Sequence, residues 1–583
     1  MTEFVENIEK PEEVEVIPDI TKKVNTLSDS SDDGSGALND YIARFVEIST
    51  NAQSNEKKEK QMSLKEGLKT FPKAAGWSIV LSTAIIMEGY DTQLLTSLYS
   101  MQPFAKKYGK YYPHLDEYQV PAKWQTSLSM STYVGEIIGL YIAGLVAEKW
   151  GYRRTLMCFM AAVVGLIFII FFAVDVQMLL AGELLCGIVW GAFQTLTVSY
   201  ASEVCPVVLR VYLTTYVNAC WVIGQLLAAC LMRGTMTMTN QWSYRIPFAI
   251  QWIWPVPIVI GIYLAPESPW WLVKKNRDAE AKKSIMRLLS PNQEVPDVAP
   301  LAEAMLNKMQ LTIKEESSKV SNVSYLDCFK HGNFRRTRIA SMIWLIQNIT
   351  GSVLMGYSTY FYIQAGLDKS MSFTFSIIQY ALGLLGTLAS WLLSQKLGRF
   401  DIFFLGLSTN TCILIIVGGL GFSSAKSASW AIGSLLLVFT FVYDSSIGPI
   451  TYCTVAEIPS STVRAKTVAL ARNWYNLSQI PVSIVTPYML NPTAWNWKAK
   501  SAWLWAGLSV LSLVYVWFEF PETKGRTYAE LDILFNNGTR ARDFKSTQVE
   551  TFNPDEMLKK LNNEDIIQVV DGDLKAGTTT AKV

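Results

Sequence analysis

Residues 148–154 read EKWGYRR, and residues 395–401 read QKLGRFD. Each follows a long apolar run, and each sets a glycine between basic side chains. Two further pairs keep the same order along the chain. Residues 203–210 read EVCPVVLR and residues 457–464 read EIPSSTVR; residues 266–269 read PESP and residues 521–525 read PETKG. Gly151 and Gly398 are 247 residues apart, Glu203 and Glu457 are 254 apart, and Pro266 and Pro521 are 255 apart. One coincidence would mean little. Three in order at nearly one offset mean a duplicated unit in parallel orientation.

The units are built of apolar runs. Six lie near residues 74–101, 124–146, 155–174, 177–200, 211–232 and 246–265, and six more near 338–364, 372–394, 401–421, 428–455, 465–490 and 500–520. Each is close to the 20 or so residues that cross a bilayer as a helix. Composition agrees: of 583 residues, 50% are hydrophobic and 17% charged, against about 25% charged in an ordinary soluble protein. The expected fold is all-α, with twelve transmembrane helices in two parallel six-helix bundles. Such halves rock about a midplane site in transporters. The expected organisation is a disordered acidic N-terminal tail at 1–70, a first bundle at 71–265 and a central linker at 266–337. A second bundle follows at 338–520, then a polar tail at 521–583.

Several function classes fall away. The formal net charge of +2 offers nothing to nucleic acid. Two histidines and eight scattered cysteines without a CxxC pair argue against a metal site or a disulfide framework. No cofactor is expected, and no N-terminal signal pattern is present. An enzyme is not expected: glycoside hydrolysis needs two carboxylates about 5–9.5 Å apart across an open cleft, and nothing outside the spans forms a domain to hold them.

Basic residues set the expected orientation. With both termini in the cytosol, the inner loops hold Lys149, Arg153, Arg154, Arg210, Lys396, Arg399, Arg464 and Lys466, and the central segment holds many more. The first outer loop is an exception, with Lys106, Lys107, Lys110 and Lys123. Arg153, Arg154, Glu203, Arg210, Arg399, Glu457 and Arg464 at the inner helix ends read as a gate, pairing across the halves while the inside is shut. Membrane anchoring and helix capping would explain the same residues.

The set GYRR, ExxPxxxR, PESP, LGRF and PETKG resembles the sugar-porter branch of the major facilitator superfamily, over roughly residues 74–530. MEGYDTQ at 87–93, PESPWW at 266–271, GYSTYF at 356–361 and SFTFSIIQY at 372–380 are similar to fungal maltose and α-glucoside permeases. The resemblance implies a plasma-membrane importer of maltose and related α-glucosides driven by protons. A passive facilitator would share the fold without needing buried acids. A transporter-like sugar sensor usually carries tails longer than the one expected here.

The resemblance also marks sugar-contact positions. Gln225 follows Gly224 in the fifth span, and Gln347 with Asn348 match a paired-amide motif in the seventh, asparagine replacing the second glutamine. Tyr452 stands where tryptophan is common, and Tyr475 and Asn476 fall where relatives carry aromatic and polar contacts. Val353 and Gly383 replace amides, a loss of bulk that would suit a substrate larger than a monosaccharide. Amides within spans also join helices to one another.

Charges inside the spans are the second candidate set. Placing one there costs roughly 2.5–3.5 kcal/mol on insertion scales, so such residues face a bundle interior or cavity and mark ion routes. Glu88 and Asp91 lie three apart in the first span, Glu136 in the second and Glu183 in the fourth. Arg472 lies eight residues past Arg464, about 12 Å deeper at 1.5 Å per residue. The expectation is one acidic cluster with Arg472 as counter-charge, against a static ion pair tying the halves. The resemblance makes Asp91 the coupling acid, yet its usual arginine partner is replaced here by Glu183. Asp444 in the tenth span is a weaker candidate.

Overall fold

The computed structural model describes residues 64–547, apart from 114–115, 292–297, 320–323, 424, 461–462, 493 and 527. Most of the expected N-terminal tail, and the C-terminal tail beyond residue 547, lie outside the described residues. The others belong to one compact unit, Glu59–Thr551.

Among the described residues, twelve helical passes form the body of the molecule. In the first bundle α1 runs as Pro72–Ser82 and Ala84–Leu98, followed by α2 (Ala122–Trp150), α3 (Tyr152–Phe171), α4 (Val176–Val204), α5 (Val207–Thr235) and α6 (Trp242–Leu264). In the second bundle α7 comes in three pieces, His331–Ile349, Val353–Gly356 and Ser358–Gln364. It is followed by α8 (Lys369–Lys396), α9 (Arg399–Leu420), α10 (Lys426–Ser445 and Ile447–Glu457), α11 (Arg464–Leu490) and α12 (Ala502–Glu519).

Among the described residues, nine helices are long and apolar enough by themselves to cross a membrane. The passes that fall short are α1, α7 and α11. α1 is divided at Thr83, α7 is interrupted at Gly351 (φ +91°), and α11 carries Arg472, Asn473, Asn476, Gln479 and two prolines. These three passes supply much of the polar interior described below. The remaining surface is apolar: Leu145, Leu392, Leu511 and Phe518 point outward, as lipid-facing side chains do.

Small residues bring the helices of the first bundle together, the usual device where lipid competes with apolar packing. A Cβ on Gly139 of α2 would lie 2.0 Å from the carbonyl oxygen of Ile188 in α4, and one on Gly89 of α1 would lie 2.1 Å from that of Trp221 in α5.

Short elements cover the two ends. A hairpin of β1 (Lys110–Tyr112) and β2 (Glu117–Gln119) lies between α1 and α2. At the opposite end, helices Pro269–Lys274, Asp278–Leu288 and Ala299–Lys319 fill the central segment. Two stretches expected as tail are ordered. Leu64–Thr70 is helical, and after α12 come helix Tyr528–Asn536 and turn Ala541–Phe544. The buried Arg336 guanidinium at the start of α7 explains the second: it pairs with Asp532, and a buried cation demands a fixed partner.

Candidate functional site

The bundles touch at the hairpin end and along the α5–α8 seam, and part at a cleft toward the other end. Thr96 Oγ1 donates to the Gly356 carbonyl at 2.8 Å, Tyr380 donates its hydroxyl to Gln93, and Asn491 Nδ2 donates to the Val120 carbonyl at 3.4 Å. Toward the end that carries the GYRR and LGRF turns, a cleft lies between α1, α4 and α5 on one side and α7, α10 and α11 on the other. Its walls are largely apolar, with Val198, Val455 and Val468. Glu88, Gln194 and Arg472 bring polar groups into it.

These three side chains bridge the bundles. Arg472 Nε donates to Gln194 Oε1 at 2.8 Å, and Gln194 Nε2 donates to Glu88 Oε1 at 2.5 Å. Arg472 Nη2 stands 3.9 Å from the same carboxylate oxygen. The Arg472 Cζ lies 4.5 Å from the Trp344 ring centre and 4.1 Å from that of Tyr475, so two aromatic faces stabilise the cation where water is scarce. Glu136 faces Glu88 and Arg472, and its Oε2 has no hydrogen-bond partner among the described residues.

Asp91 belongs to a second network, wholly inside the first bundle. Its Oδ2 accepts from Trp190 Nε1 at 3.1 Å and its Oδ1 from Gln251 Nε2 at 2.7 Å. Glu183 lies beside it, and accepts from Thr132 Oγ1 at 3.2 Å. The single cluster expected around Arg472 is therefore divided. Helix geometry gives the reason: positions three apart differ by about 60° around the axis. That rotation turns Glu88 to the bundle seam and Asp91 to α4 and α6.

The expected sugar contacts also separate. Tyr452 borders the cleft and packs edge-on to Trp344 at 4.9 Å, as Tyr475 does at 5.2 Å. Gln225, Gln347, Asn348 and Asn476 are buried and do not border it. Gln347 makes a long 3.5 Å contact to the Gly448 carbonyl, and its Oε1 is unpaired among the described residues. Neither amide atom of Asn476 is paired there either. Asn348 is fully engaged with α11: it donates to the Tyr475 carbonyl at 2.9 Å and Ser478 Oγ at 2.7 Å, and accepts from Gln479 at 2.9 Å. The space left at Gly383 is not free for a substrate. A Cβ there would lie 2.6 Å from Asp444 Oδ2.

At the loop ends the three duplicated signatures meet. Glu267 accepts from the backbone N–H of Tyr152 at 3.0 Å and of Arg153 at 3.2 Å, capping α3. Glu522 accepts from Arg399 at 2.9 Å and Phe400 at 3.2 Å, capping α9. Carboxylates suit a helix N-terminus, where four N–H groups lack partners. The glycine of each turn makes the cap fit: a Cβ on Gly151, which also has φ +88°, would lie 2.6 Å from Glu267 Oε2, and one on Gly398 would overlap Glu522. Ser268 Oγ and Thr523 Oγ1 then donate to Glu203 and Glu457. Tyr152 donates to Glu203 at 2.8 Å, while Arg399 Nη2 stands 3.5 Å from Glu457. All these contacts stay within one bundle. Arg153 lies over the Tyr263 ring, Arg154 is exposed, and Arg464 is half-buried. The Arg210 side chain lies outside the described residues.

Gln194, Gln251, Trp190 and Trp344 escaped the sequence reading. A single amide inside an apolar run was the available signal for the first two, and it is the same signal that any helix-joining amide gives.

The sugar (and other) transporter family profile matches residues 77–535. A general alpha-glucoside permease of Saccharomyces cerevisiae is 44% identical over 529 residues, 90% of this chain and 85% of the permease. A maltose permease of Saccharomyces cerevisiae is 44% identical over 509 residues, 87% of this chain and 83% of the permease. Among solved structures, the proton:xylose symporter XylE bound to 6-bromo-6-deoxy-D-glucose matches with a TM-score of 0.66 at 20% identity, covering 80% of this chain and 99% of that chain. The inward open conformation of XylE from E. coli gives 0.60 at 20% identity, covering 78% and 98%. These two structures share the fold of this chain.

Proposed function

The chain belongs to the sugar (and other) transporter family, and from that premise we propose that it imports maltose and related α-glucosides together with protons, by alternating access. It moves the sugar without changing it chemically. The proposed setting is the plasma membrane, with both termini in the cytosol. The cleft then faces inward. The general alpha-glucoside permease and the maltose permease at 44% identity support the substrate class.

The observation that carries the reading is the Arg472–Gln194–Glu88 bridge. It joins the bundles at the wall of the cleft and sits directly beside Tyr452 and Trp344. A sugar offers hydroxyls at its rim and apolar faces, and such sites combine aromatic walls with a few convergent polar groups. In this reading Tyr452, Trp344 and Tyr475 give the walls. Gln347 and Asn476 have amide atoms to spare for hydroxyls, and Gln225 completes the set from the first bundle. Asn348 holds α7 to α11.

The proton is carried at Asp91 and Glu183. Two adjacent carboxylates with no ion-pair partner are compatible with burial when a proton lies between them. Glu88 and Glu136 lie between that pair and the cleft, with Arg472 balancing one of their charges. The paired carbonyl and amide contacts at the hairpin end form the closed outer gate. Glu203, Arg399, Glu457 and the other inner-end charges are proposed to meet across the halves when the inner side shuts.

The test is expression in a cell without its own transporters, supplied with one α-glucoside at a time while external pH is varied. Uptake should rise as the medium is acidified, and sugar should alkalinise an unbuffered suspension. Entry that ignores external pH leaves a passive facilitator. No entry of maltose, trehalose or sucrose overturns the substrate reading. An epitope after Arg277 should resist protease added outside intact cells; cleavage there overturns the orientation.

A further inference from the structure

Asp444 is an intramembrane acid that neither network reaches. It lies in α10 just before the break at Ser446 and is 3% exposed. Its Oδ1 accepts from Asn218 Nδ2 at 3.2 Å. Asn218 belongs to α5, in the other bundle, and the same Nδ2 stands 3.2 Å from Thr387 Oγ1 of α8. The helices are shaped around this contact. A Cβ on Gly386 of α8 would lie 3.2 Å from Asp444 Cβ, and one on Gly448, past the break, would lie 3.3 Å from Asn218 Oδ1. Together with Gly383 these glycines leave a slot that the carboxylate fills. Tyr380 from α8 and Tyr443 from α10 are its titratable neighbours. Among the described residues no cation forms an ion pair with it.

A carboxylate at membrane depth is costly and is functional by default. This one spends its hydrogen bond on the opposite bundle. The seam on which it sits is held along its length. Trp391 Nε1 donates to Thr215 Oγ1 at 2.8 Å toward one end, and Arg233 Nη2 donates to Ser370 Oγ at 3.0 Å toward the other. The α5–α8 seam thus stays in contact at the level where the cleft opens elsewhere.

We infer that Asp444 is a positioning residue for transport: through Asn218 it fixes α10 on α5 and makes the α5–α8 seam the pivot about which the cleft opens and closes. The inference rests on the transport reading above. Its signature is an effect on turnover and none on sugar affinity, because the pair bonds neither the proposed sugar contacts Gln225, Gln347 and Asn476 nor any side chain that lines the cleft.

The test is a double-mutant cycle with a swap. Asn218→Ala, Asp444→Ala, the double variant, and the swap of Asn218→Asp with Asp444→Asn are compared for labelled maltose uptake per transporter at the cell surface. Each single change should lower Vmax by about fivefold or more with KM within about twofold. The double variant should be no worse than the singles, and the swap should recover to within about threefold of the wild type. Losses that multiply, a swap no better than the singles, or a raised KM at full Vmax overturn the inference. Where the alanine variants fail to reach the surface, the swap decides: delivered and active supports the pivot, absent or inactive overturns it. If the wild-type chain carries no maltose, the substrate reading fails by itself. The pivot is then read from Thr96→Cys placed on each background and labelled from the hairpin side with a membrane-impermeant maleimide. Labelling about threefold faster in the alanine variants than in the swap supports it; equal rates overturn it.

Discussion

In the first half Glu267 caps α3 and Ser268 bonds Glu203; in the second half Glu522 caps α9 and Thr523 bonds Glu457. At these loop ends the two copies are built alike. At membrane depth they differ. The first bundle holds four buried acids, Glu88, Asp91, Glu136 and Glu183, while the second holds Arg472 and Asp444. The frame follows the duplication because capping a helix is the same problem in both halves. The centre departs from it because charge must be balanced between the halves. Arg472 and Glu88 satisfy one another only when the bundles face each other. Chemistry is therefore expected where the symmetry fails, and stability where it holds.

The hardest blow to that comparison is Arg472→Ala. It leaves Glu88 and Glu136 facing each other without their cation, and stranding one partner of a buried ion pair costs about 3–5 kcal/mol. Surface delivery and uptake should both collapse. Adding Glu88→Gln should return delivery, counted by surface biotinylation, but not pH-driven uptake. Delivery as low in the double variant as in Arg472→Ala would show that the cation matters for something other than charge balance.

Asp91→Asn comes next. It cannot release a proton, so sugar should still bind and exchange across the membrane while accumulation is lost. The steady-state inside-to-outside ratio of a non-metabolised α-glucoside measures this. A correctly delivered variant that still concentrates sugar would move the coupling role to Glu183, Glu136 or Glu88.

Gln347→Ala should be milder. One hydroxyl–amide hydrogen bond nets about 0.5–1.5 kcal/mol, so the apparent KM for maltose should rise roughly three- to tenfold with Vmax held. Asn348→Ala should instead lower thermal stability, since its three bonds join α7 to α11. Unchanged KM in the first variant would remove Gln347 from the site.

The frame was legible because repeated loop signatures and apolar runs are local features. The centre was only half legible. Glu88, Asp91, Glu136, Glu183 and Arg472 stood out as charges in apolar runs, yet their partition between two networks depends on 60° of helix rotation that sequence spacing alone left open. Gln194, the amide linking Arg472 to Glu88, lies in the run GAFQTLTV at 191–198 and looks like an ordinary helix-joining residue. The breaks in α7 and α10 occur at Gly351 and Ser446; Pro449 leaves the Ser445 carbonyl without its helical donor, but a lone glycine or proline inside an apolar run does not by itself place a break. The polar segments after α12 read as tail because their order comes from a distant cation, Arg336.

The smallest effect tests the likeness of the two loop ends. Burial pushes the Glu267 carboxyl up from its ordinary value, opposed by the N–H groups of Ser268, Arg153 and Tyr152. A carboxyl raised on folding binds its proton more tightly in the folded chain than in the unfolded one. Folding stability then falls as pH rises from the ordinary glutamate value through the folded one. Glu267→Gln removes that slope. It also weakens the α3 cap, a charge–dipole contact of roughly 0.3–1 kcal/mol. Thermal unfolding of the purified chain across mildly acidic pH should thus show a shallow decline in the wild type and a flatter, slightly lower curve in Glu267→Gln. Glu522→Gln weakens the α9 cap in the same way. If the wild-type slope persists in Glu267→Gln, the carboxyl that titrates there is not Glu267, and the cap of α3 contributes geometry alone.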